Sequence, residues 1–275
     1  MANMAAALAD LGHRVTVLSS ASAEDGIAAG VGRGGGCGAE GGGCERGAAH
    51  GASRPQRRRG AAGRLVAVGA AVTADFTFCT VQYDSGDWDS APLVPANLID
   101  SVARYTSIRV APTGVSVPLG SRDLFRYPLA YLTGHLPVRF TDLERRTLKE
   151  YCARGGLLFV DDHNHDVDGV FHKTCTEEIA RTVGPLKELS NTHPLFRCFF
   201  RFEDGPPATS HELNGWGDNL IHQHLQAVQT ADRITVLYSN KDYSSEWGYH
   251  PDNKRFLSVD NTKFGVNVVV YALTR

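Results

Sequence analysis

The segment 141–162 constrains the fold most, because it contains a complete helix–strand unit. Thr141 and Glu144 have the spacing of a capping box, in which each side chain accepts a hydrogen bond from a free amide at the helix start. Leu148 begins the apolar face of this helix, and two glycines end it before the wholly apolar strand Leu157–Val160. A continuous apolar strand beside an amphipathic helix is typical of a parallel sheet covered by helices on both faces.

The same alternation extends through residues 76–275, which we predict to form an α/β domain with a mainly parallel central sheet. Pro95 opens an amphipathic helix. The predicted strands are 76–81, 108–111, 127–132 and 234–237. Parallel sheets bind ligands beyond the carboxyl ends of their strands, so a binding site is expected after Val81, Leu132 and Val160.

The first 75 residues differ from the rest in composition. They hold 16 of the 29 glycines and no Phe, Tyr or Trp. Such a segment buries too little surface to offset its backbone entropy, so residues 1–75 are predicted to be low in complexity and 21–56 to be disordered. The chain has a formal charge of -2, which argues against a nucleic-acid partner. We also expect no transmembrane segment, because no run reaches the roughly 18 apolar residues of a spanning helix.

A basic cluster precedes the predicted domain. Arg57–Arg59 is followed by the small apolar residues of Leu65–Val72, so residues 57–74 resemble a twin-arginine export signal. If translation starts near residue 50, the protein is expected to be exported to the periplasm, and otherwise to be cytoplasmic. The alternative is a basic patch within a disordered tail.

Six motifs occur in a fixed order: Tyr83–Trp88, Leu124–Pro128, Tyr131–His135, Gly155–Asp162, His193–Phe196 and Gly265–Leu273. Together they resemble the domain-of-unknown-function family 4159, from about residue 76 to the end of the sequence. The resemblance implies a flavodoxin-like three-layer sandwich related to class I glutamine amidotransferases, and it supplies no established reaction.

The implied relationship to class I glutamine amidotransferases leads to a chemical expectation about cysteine. In a class I glutamine amidotransferase, a strand ends in a sharp turn that carries a nucleophilic cysteine, which a later histidine activates. Here the corresponding strand runs into Asp161, Asp162 and His163, and no cysteine stands there. Cys152 and Cys175 lie on apolar helix faces, where a buried thiol is usually inert. The resemblance therefore implies the scaffold without glutaminase chemistry.

Histidine and aspartate are concentrated between residues 161 and 168. Imidazole and carboxylate are ligands of divalent transition metals such as zinc. The candidate ligands are His163, His165 and Asp161, with His222 and His224 repeating the same spacing. The alternative is that the aspartates bind loop amides while the histidines are solvated.

Further candidate ligand-binding residues lie beyond other strands. Asp87 and Trp88 follow the first strand and are able to offer a carboxylate and an aromatic platform, for instance to a sugar. An Asx-type turn with Trp88 in the core is the alternative. The remaining candidates, at or beyond the ends of other strands, are His135, Asp161, Asp162, Asp242, Glu246 and Trp247.

Two functional classes fit these observations. The first is a non-catalytic module that binds a small molecule, a metal or a protein partner on a scaffold that lacks the cysteine nucleophile. The second is a metal-dependent hydrolase in which His163, His165 and an aspartate hold the ion and a further carboxylate activates water. The missing nucleophile favours the first class.

Overall fold

The computed structural model describes residues 74–248 and 258–275. The predicted disorder of 21–56 and nearly all of the twin-arginine-like segment 57–74 lie outside the described residues. The division of the chain at residue 75 therefore stays a prediction, as does export.

The described residues form an alternating series of strands and helices. The strands are β1 (Cys79–Gln82), β2 (Val115–Pro118), β3 (Leu129–Gly134), β4 (Leu157–Asp162), β5 (Lys187–Glu188), β6 (Gln226–Thr230) and β7 (Arg233–Ser239). The helices are α1 (Val94–Tyr105), α2 (Asp142–Ala153), α3 (Val170–Thr182), α4 (Ser210–Leu213), α5 (Tyr243–Gly248) and α6 (Ser258–Thr274). Short 3-10 turns cover Arg122–Arg126 and Pro194–Arg197.

The seven strands form one sheet in the order β2-β1-β3-β4-β7-β6-β5. The first five strands of this order are parallel, and β6 and β5 extend the sheet in antiparallel fashion. The parallel part has the 2-1-3-4-5 order of flavodoxin-like sheets. The predicted α/β fold with a mainly parallel sheet is thus confirmed.

Two apolar cores cover the two faces of the sheet. On one face, Leu98 of α1, Trp247 of α5 and Phe264 of α6 pack against the strands. On the other face, Leu148 of α2 and Phe171 of α3 do so. The result is three layers, as the resemblance implied. No helix within 74–248 or 258–275 is long and apolar enough to cross a membrane.

The predicted capping box starts α2, since the Thr141 hydroxyl and the Glu144 carboxylate accept each other's backbone amides at 3.2 and 2.7 Å.

The prediction of a strand over 108–111 was wrong. Val110 forms only an isolated bridge to Phe76, and the partner of β1 is the segment Val115–Pro118. Both segments are apolar enough for a strand, and the apolar pattern does not specify which of them pairs.

Candidate functional site

The carboxyl ends of β1, β3, β4 and β7 meet at one edge of the sheet. The order of the strands reverses between β1 and β3, and flavodoxin-like sheets bind their ligands at this switch point. Asp87 follows β1, His135 follows β3, and Asp242 follows β7. Asp161 and Asp162 are the last two residues of β4.

Asp87 binds the start of the segment after β3. Its carboxylate accepts the backbone amides of His135 at 2.9 Å and Leu136 at 3.0 Å, and it lies 2.8 Å from Nδ1 of His135. Burial raises the pKa of Asp87, but these hydrogen bonds outweigh it and lower the pKa overall. The approach requires a glycine, because a Cβ at Gly134 would lie 2.7 Å from the Asp87 carboxylate. Trp88 is partly buried against the core.

Three imidazoles extend from Asp87 along the edge of the sheet, and we call His135, His163 and His211 the histidine row. The rings of His135 and His163 stack with centroids 4.3 Å apart. His163 Nε2 lies 3.7 Å from Asp242 Oδ1, and His211 Nδ1 contacts the other oxygen of the same carboxylate. The side chains of the row are 41%, 15% and 22% exposed, so the row is open to solvent along one side.

The members of the histidine row differ in charge. Burial lowers the pKa of His163, which favours its neutral form. The hydrogen bond to Asp242 raises the pKa of His211. The ring of His211 also stacks on Trp216, whose side chain is largely exposed, with centroids 4.7 Å apart. The row thus presents a neutral imidazole beside an imidazole–carboxylate pair and an indole.

Two carboxylates lie beneath the row in the protein interior. Asp161 Oδ2 accepts the amide and the hydroxyl of Ser244, both at 2.6 Å. The same hydroxyl lies 3.1 Å from Asp242, so it separates two buried carboxylates. Burial, followed by the charge of Asp242, raises the pKa of Asp161 to about 7. Burial raises the pKa of Asp162 to about 8.

The predicted residues in α5 and just before it, Asp242, Glu246 and Trp247, make contacts within the protein. Glu246 accepts hydrogen bonds from the backbone and hydroxyl of Ser210, and its side chain is buried. Trp247 is buried in the core, where its Nε1 donates to the Asn261 carbonyl at 2.8 Å. Asp242 has a left-handed backbone with φ of +55° and accepts the amide of Ser245. Of these three candidates, only Asp242 faces the histidine row.

The predicted metal ligands lie in three places. His163 contacts Asp242, and Asp161 lies beneath it. His165 and His222 instead lie near Asp218, with ligand atoms of all three residues within 4.8 Å of one another. His224 lies apart from both groups, 3.0 Å from the Asn191 side chain.

Sequence reasoning missed Asp218 and His211. Asp218 has a possible signal in its i, i+4 spacing to His222, but the two residues lie in a loop rather than on a helix. His211 lies on α4, which is only four residues long and whose start carries a capping box from Thr209 to Glu212. The capping box predicts the start of a helix, but it does not indicate that the helix faces Asp242.

The described cysteines are poor nucleophiles. Burial raises the pKa of Cys79, Cys152 and Cys198 to about 12, and it raises the pKa of Cys175 further. None of these four thiols is within hydrogen-bond distance of an imidazole, and their described partners are backbone carbonyls. Cys37 and Cys44 lie outside the described residues.

Comparison with known families gives one match. Residues 77–273 match the family described as Domain of unknown function (DUF4159), which is nearly the whole described part of the chain. No curated protein matches the sequence.

Proposed function

Since this chain belongs to the DUF4159 family, whose description assigns no activity, we propose its function from the site itself: a non-catalytic module that binds a small polar ligand. The observation that carries the proposal is the solvent-open histidine row, held between Asp87 and Asp242 at the switch point of the sheet. Ligands of open α/β sheets bind at this place.

The scaffold supports binding rather than amide cleavage. An acyl-enzyme needs a thiolate beside a base, and the four described thiols are buried away from imidazoles with raised pKa values. The turn after β4 offers His163 in the place where the implied amidotransferase relatives carry cysteine. Its neighbours Asp161 and Asp162 are buried carboxyls that accept hydrogen bonds from the backbone amides of Ser244 and Asn164.

The side chains of the row fit a hydroxyl-rich ligand, for which a sugar is the simplest case. A neutral imidazole both donates and accepts a hydrogen bond, as a sugar hydroxyl does. His163 supplies this group, and Asp87 supplies a carboxylate acceptor beside it. The exposed face of Trp216 next to His211 offers an apolar surface to a sugar ring.

A thermal-shift screen tests the proposal with two sets of probes, mono- and disaccharides on one side and free amino acids on the other. A sugar present at 100 times its Kd should stabilise the protein by about 2.7 kcal/mol, which raises the Tm by roughly 5–10 °C in a domain of this size. Calorimetry then gives the Kd of each sugar that shifts the Tm.

Variants locate the binding site. Asp87→Asn should weaken sugar binding about tenfold or more, since a hydrogen bond to a charged group is worth roughly 1.5–3 kcal/mol. His163→Ala should weaken it several-fold, since a neutral hydrogen bond is worth about 0.5–1.5 kcal/mol. Asp89→Asn is the matched control, because Asp89 is exposed in the same loop and makes no contact with the row among the described side-chain hydrogen bonds. Sugar binding that survives both substitutions, or a screen without any binder, would refute the proposal.

The hydrolase hypothesis requires His163 and His165 to bind one ion. In the structure His163 contacts Asp242, whereas His165 contacts Asp218, so the contacts do not support a shared ion. The neighbours of His165 that could share an ion with it are Asp218 and His222.

We also propose that the protein is exported, from the basic cluster Arg57–Arg59 and the apolar run Leu65–Val72. The proposal depends on a translation start near residue 50. N-terminal sequencing of the mature protein tests it: a new terminus near residue 75 on periplasmic protein supports export, and intact Met1 on cytosolic protein contradicts it.

A further inference from the structure

Two loops meet beside the carboxyl end of the sheet, where they bring together three residues that do not belong to the histidine row. One loop follows β4 and carries His165, and the other precedes β6 and carries Asp218 and His222. We call these three residues the loop cluster. Among residues 74–248 and 258–275, it is the one group of three histidine, cysteine or acidic side chains whose ligand atoms all lie within 4.8 Å.

The backbone holds the two loops together. The amide of Asp218 donates to the His165 carbonyl at 2.8 Å, and the amide of Val167 donates to the Asp218 carboxylate at 3.2 Å. Gly217 has a φ of +62°, and a Cβ there would lie 1.9 Å from the His165 carbonyl oxygen. His165 itself has a φ of +50°, which is unusual for a residue with a side chain. The backbone that carries His165 and Asp218 is therefore held in place by these contacts.

The orientation of His165 is that of a metal ligand. Its Nδ1 donates to the Asn240 backbone carbonyl at 2.5 Å, which leaves Nε2 directed at the cluster. Histidines that bind metals usually donate their second ring nitrogen to a carbonyl or carboxylate in this way. Nε2 lies 3.4 Å from Asp218 Oδ1 and 3.1 Å from the Leu220 carbonyl, to which a protonated Nε2 donates, so an ion bound at Nε2 takes the place of that hydrogen bond.

The spacing of the ligand atoms suits a tetrahedral ion. Two ligands that are each about 2.1 Å from zinc in tetrahedral geometry lie about 3.4 Å apart. The distance from His165 Nε2 to Asp218 Oδ1 has this value. His222 Nε2 is 2.9 Å from the other oxygen, Oδ2, so binding of one ion by all three residues would need His222 to move outward by about half an ångström or the carboxylate to turn. The movement is feasible because His222 is the least buried of the three side chains.

The outer contacts of Asp218 are compatible with a bound ion. Its carboxylate also accepts the amide of Leu220 at 3.0 Å and the side-chain amide of Asn240 at 3.2 Å. Metal-bound carboxylates commonly keep such hydrogen bonds, which orient them. His222 also lines a cavity of about 550 Å³, together with Ile221 and Gln223.

We propose that His165, Asp218 and His222 bind one divalent transition-metal ion, with zinc the best fit to the two imidazoles and one carboxylate. Each imidazole binds the ion through a ring nitrogen that carries no proton. The ion joins the loop after β4 to the loop before β6. The proposal does not depend on the sugar-binding proposal, because no member of the histidine row belongs to the loop cluster.

The test uses full-length protein purified without a histidine tag and stripped with a chelator. Titration with Co²⁺, followed by visible absorption, and with Zn²⁺, followed by calorimetry, should give one ion per chain. His222→Ala should weaken zinc binding by more than the roughly 10–100-fold that loss of an outer partner costs. Asp218→Asn, which preserves size and most hydrogen bonds, should also weaken zinc binding. It serves as the test variant if His222→Ala fails to fold.

Two controls separate the loop cluster from other histidines. His224→Ala removes a half-exposed histidine two residues away that contacts Asn191, and it should leave zinc affinity unchanged. His163→Ala disrupts the histidine row and should also leave zinc affinity unchanged. Zinc lost in His163→Ala but retained in His222→Ala would overturn the proposal, as would wild-type protein that binds no stoichiometric zinc.

Discussion

Replacing Asp162 with asparagine should flatten the pH dependence of folding stability. Asp162 ends β4 with its side chain buried, and Oδ1 accepts the amide of Asn164 at 3.0 Å. No described group donates to Oδ2. Burial, together with the charge of Asp161, raises the pKa of Asp162 from 3.8 to about 8 against the opposing amide hydrogen bond. The folded state therefore keeps a proton that the unfolded state has already lost at pH 7.

The sign of the effect follows from proton linkage. Between about pH 4 and pH 8 the folded state binds one proton more than the unfolded state at this carboxyl, so the free energy of unfolding falls as the pH rises. The stabilisation is complete below the unfolded pKa and is lost as the pH rises through the folded pKa. The slope from one such group is about 1.4 kcal/mol per pH unit, or about 2.7 kcal/mol from pH 5 to pH 7.

Urea unfolding of chelator-treated protein at pH 5, 6 and 7 measures this slope. Asp162→Asn keeps an oxygen for the Asn164 amide and adds a buried donor, whose cost of roughly 1–3 kcal/mol does not vary with pH. Relative to wild type, the variant should gain about 2.7 kcal/mol between pH 5 and pH 7.

The matched control is Asp168→Asn in the following loop, where the side chain is 88% exposed, and its pH profile should run parallel to that of wild type. Asp161 also titrates in all three proteins, and because its charge acts on Asp162, the comparison reports the change at this pair of carboxyls. Parallel profiles for wild type and Asp162→Asn would show that the carboxyl is ionised in the folded state and would refute the reasoning.

Three further predictions concern other parts of the molecule. The Cys152 thiol should resist iodoacetamide at pH 8 in native protein but react in urea, as peptide mapping would show. For the same reason, the protein should release no ammonia from glutamine. Lys241→Met should cost roughly 3–5 kcal/mol in urea unfolding because it leaves Glu212 buried and unpaired, and adding Glu212→Gln should recover most of the loss. Gly217→Ala should lower the Tm by several degrees, since it strains a left-handed position against the His165 carbonyl, and an unchanged Tm would contradict the geometry.

The sequence was sufficient for the elements whose signals are local. The capping box at Thr141 marks the start of α2, and the apolar run from Leu157 marks β4. The strand extends two residues beyond the apolar run because Asp161 and Asp162 continue the ladder opposite Thr133 and Gly134. A polar residue in a strand carries no periodic signal, so the pattern indicated a loop where the structure has buried carboxylates.

The candidate site was partly predictable for a topological reason. In a parallel sheet the residues that follow each strand are brought to one edge whatever their sequence separation, and this places Asp87 against His135. The contact between His165 and Asp218 has no such rule behind it. These residues are joined by an irregular loop that needs a left-handed backbone at Gly217, and its path depends on contacts made only in the folded protein.

The buried acids at the end of β4 give a physical reason for the absence of a thiol nucleophile there. A thiolate in the position of His163 would lie beside Asp161, Asp162 and Asp242, three carboxyl groups that are buried. Burial disfavours an anion at this position, and any of these carboxyls that ionises would repel it, so the pKa of such a thiol would rise rather than fall. A neutral imidazole carries no charge penalty at the same position, and it is also able to hydrogen-bond a ligand from the solvent side. The buried acids thus make this edge of the sheet a better binding surface than a site for thiolate chemistry.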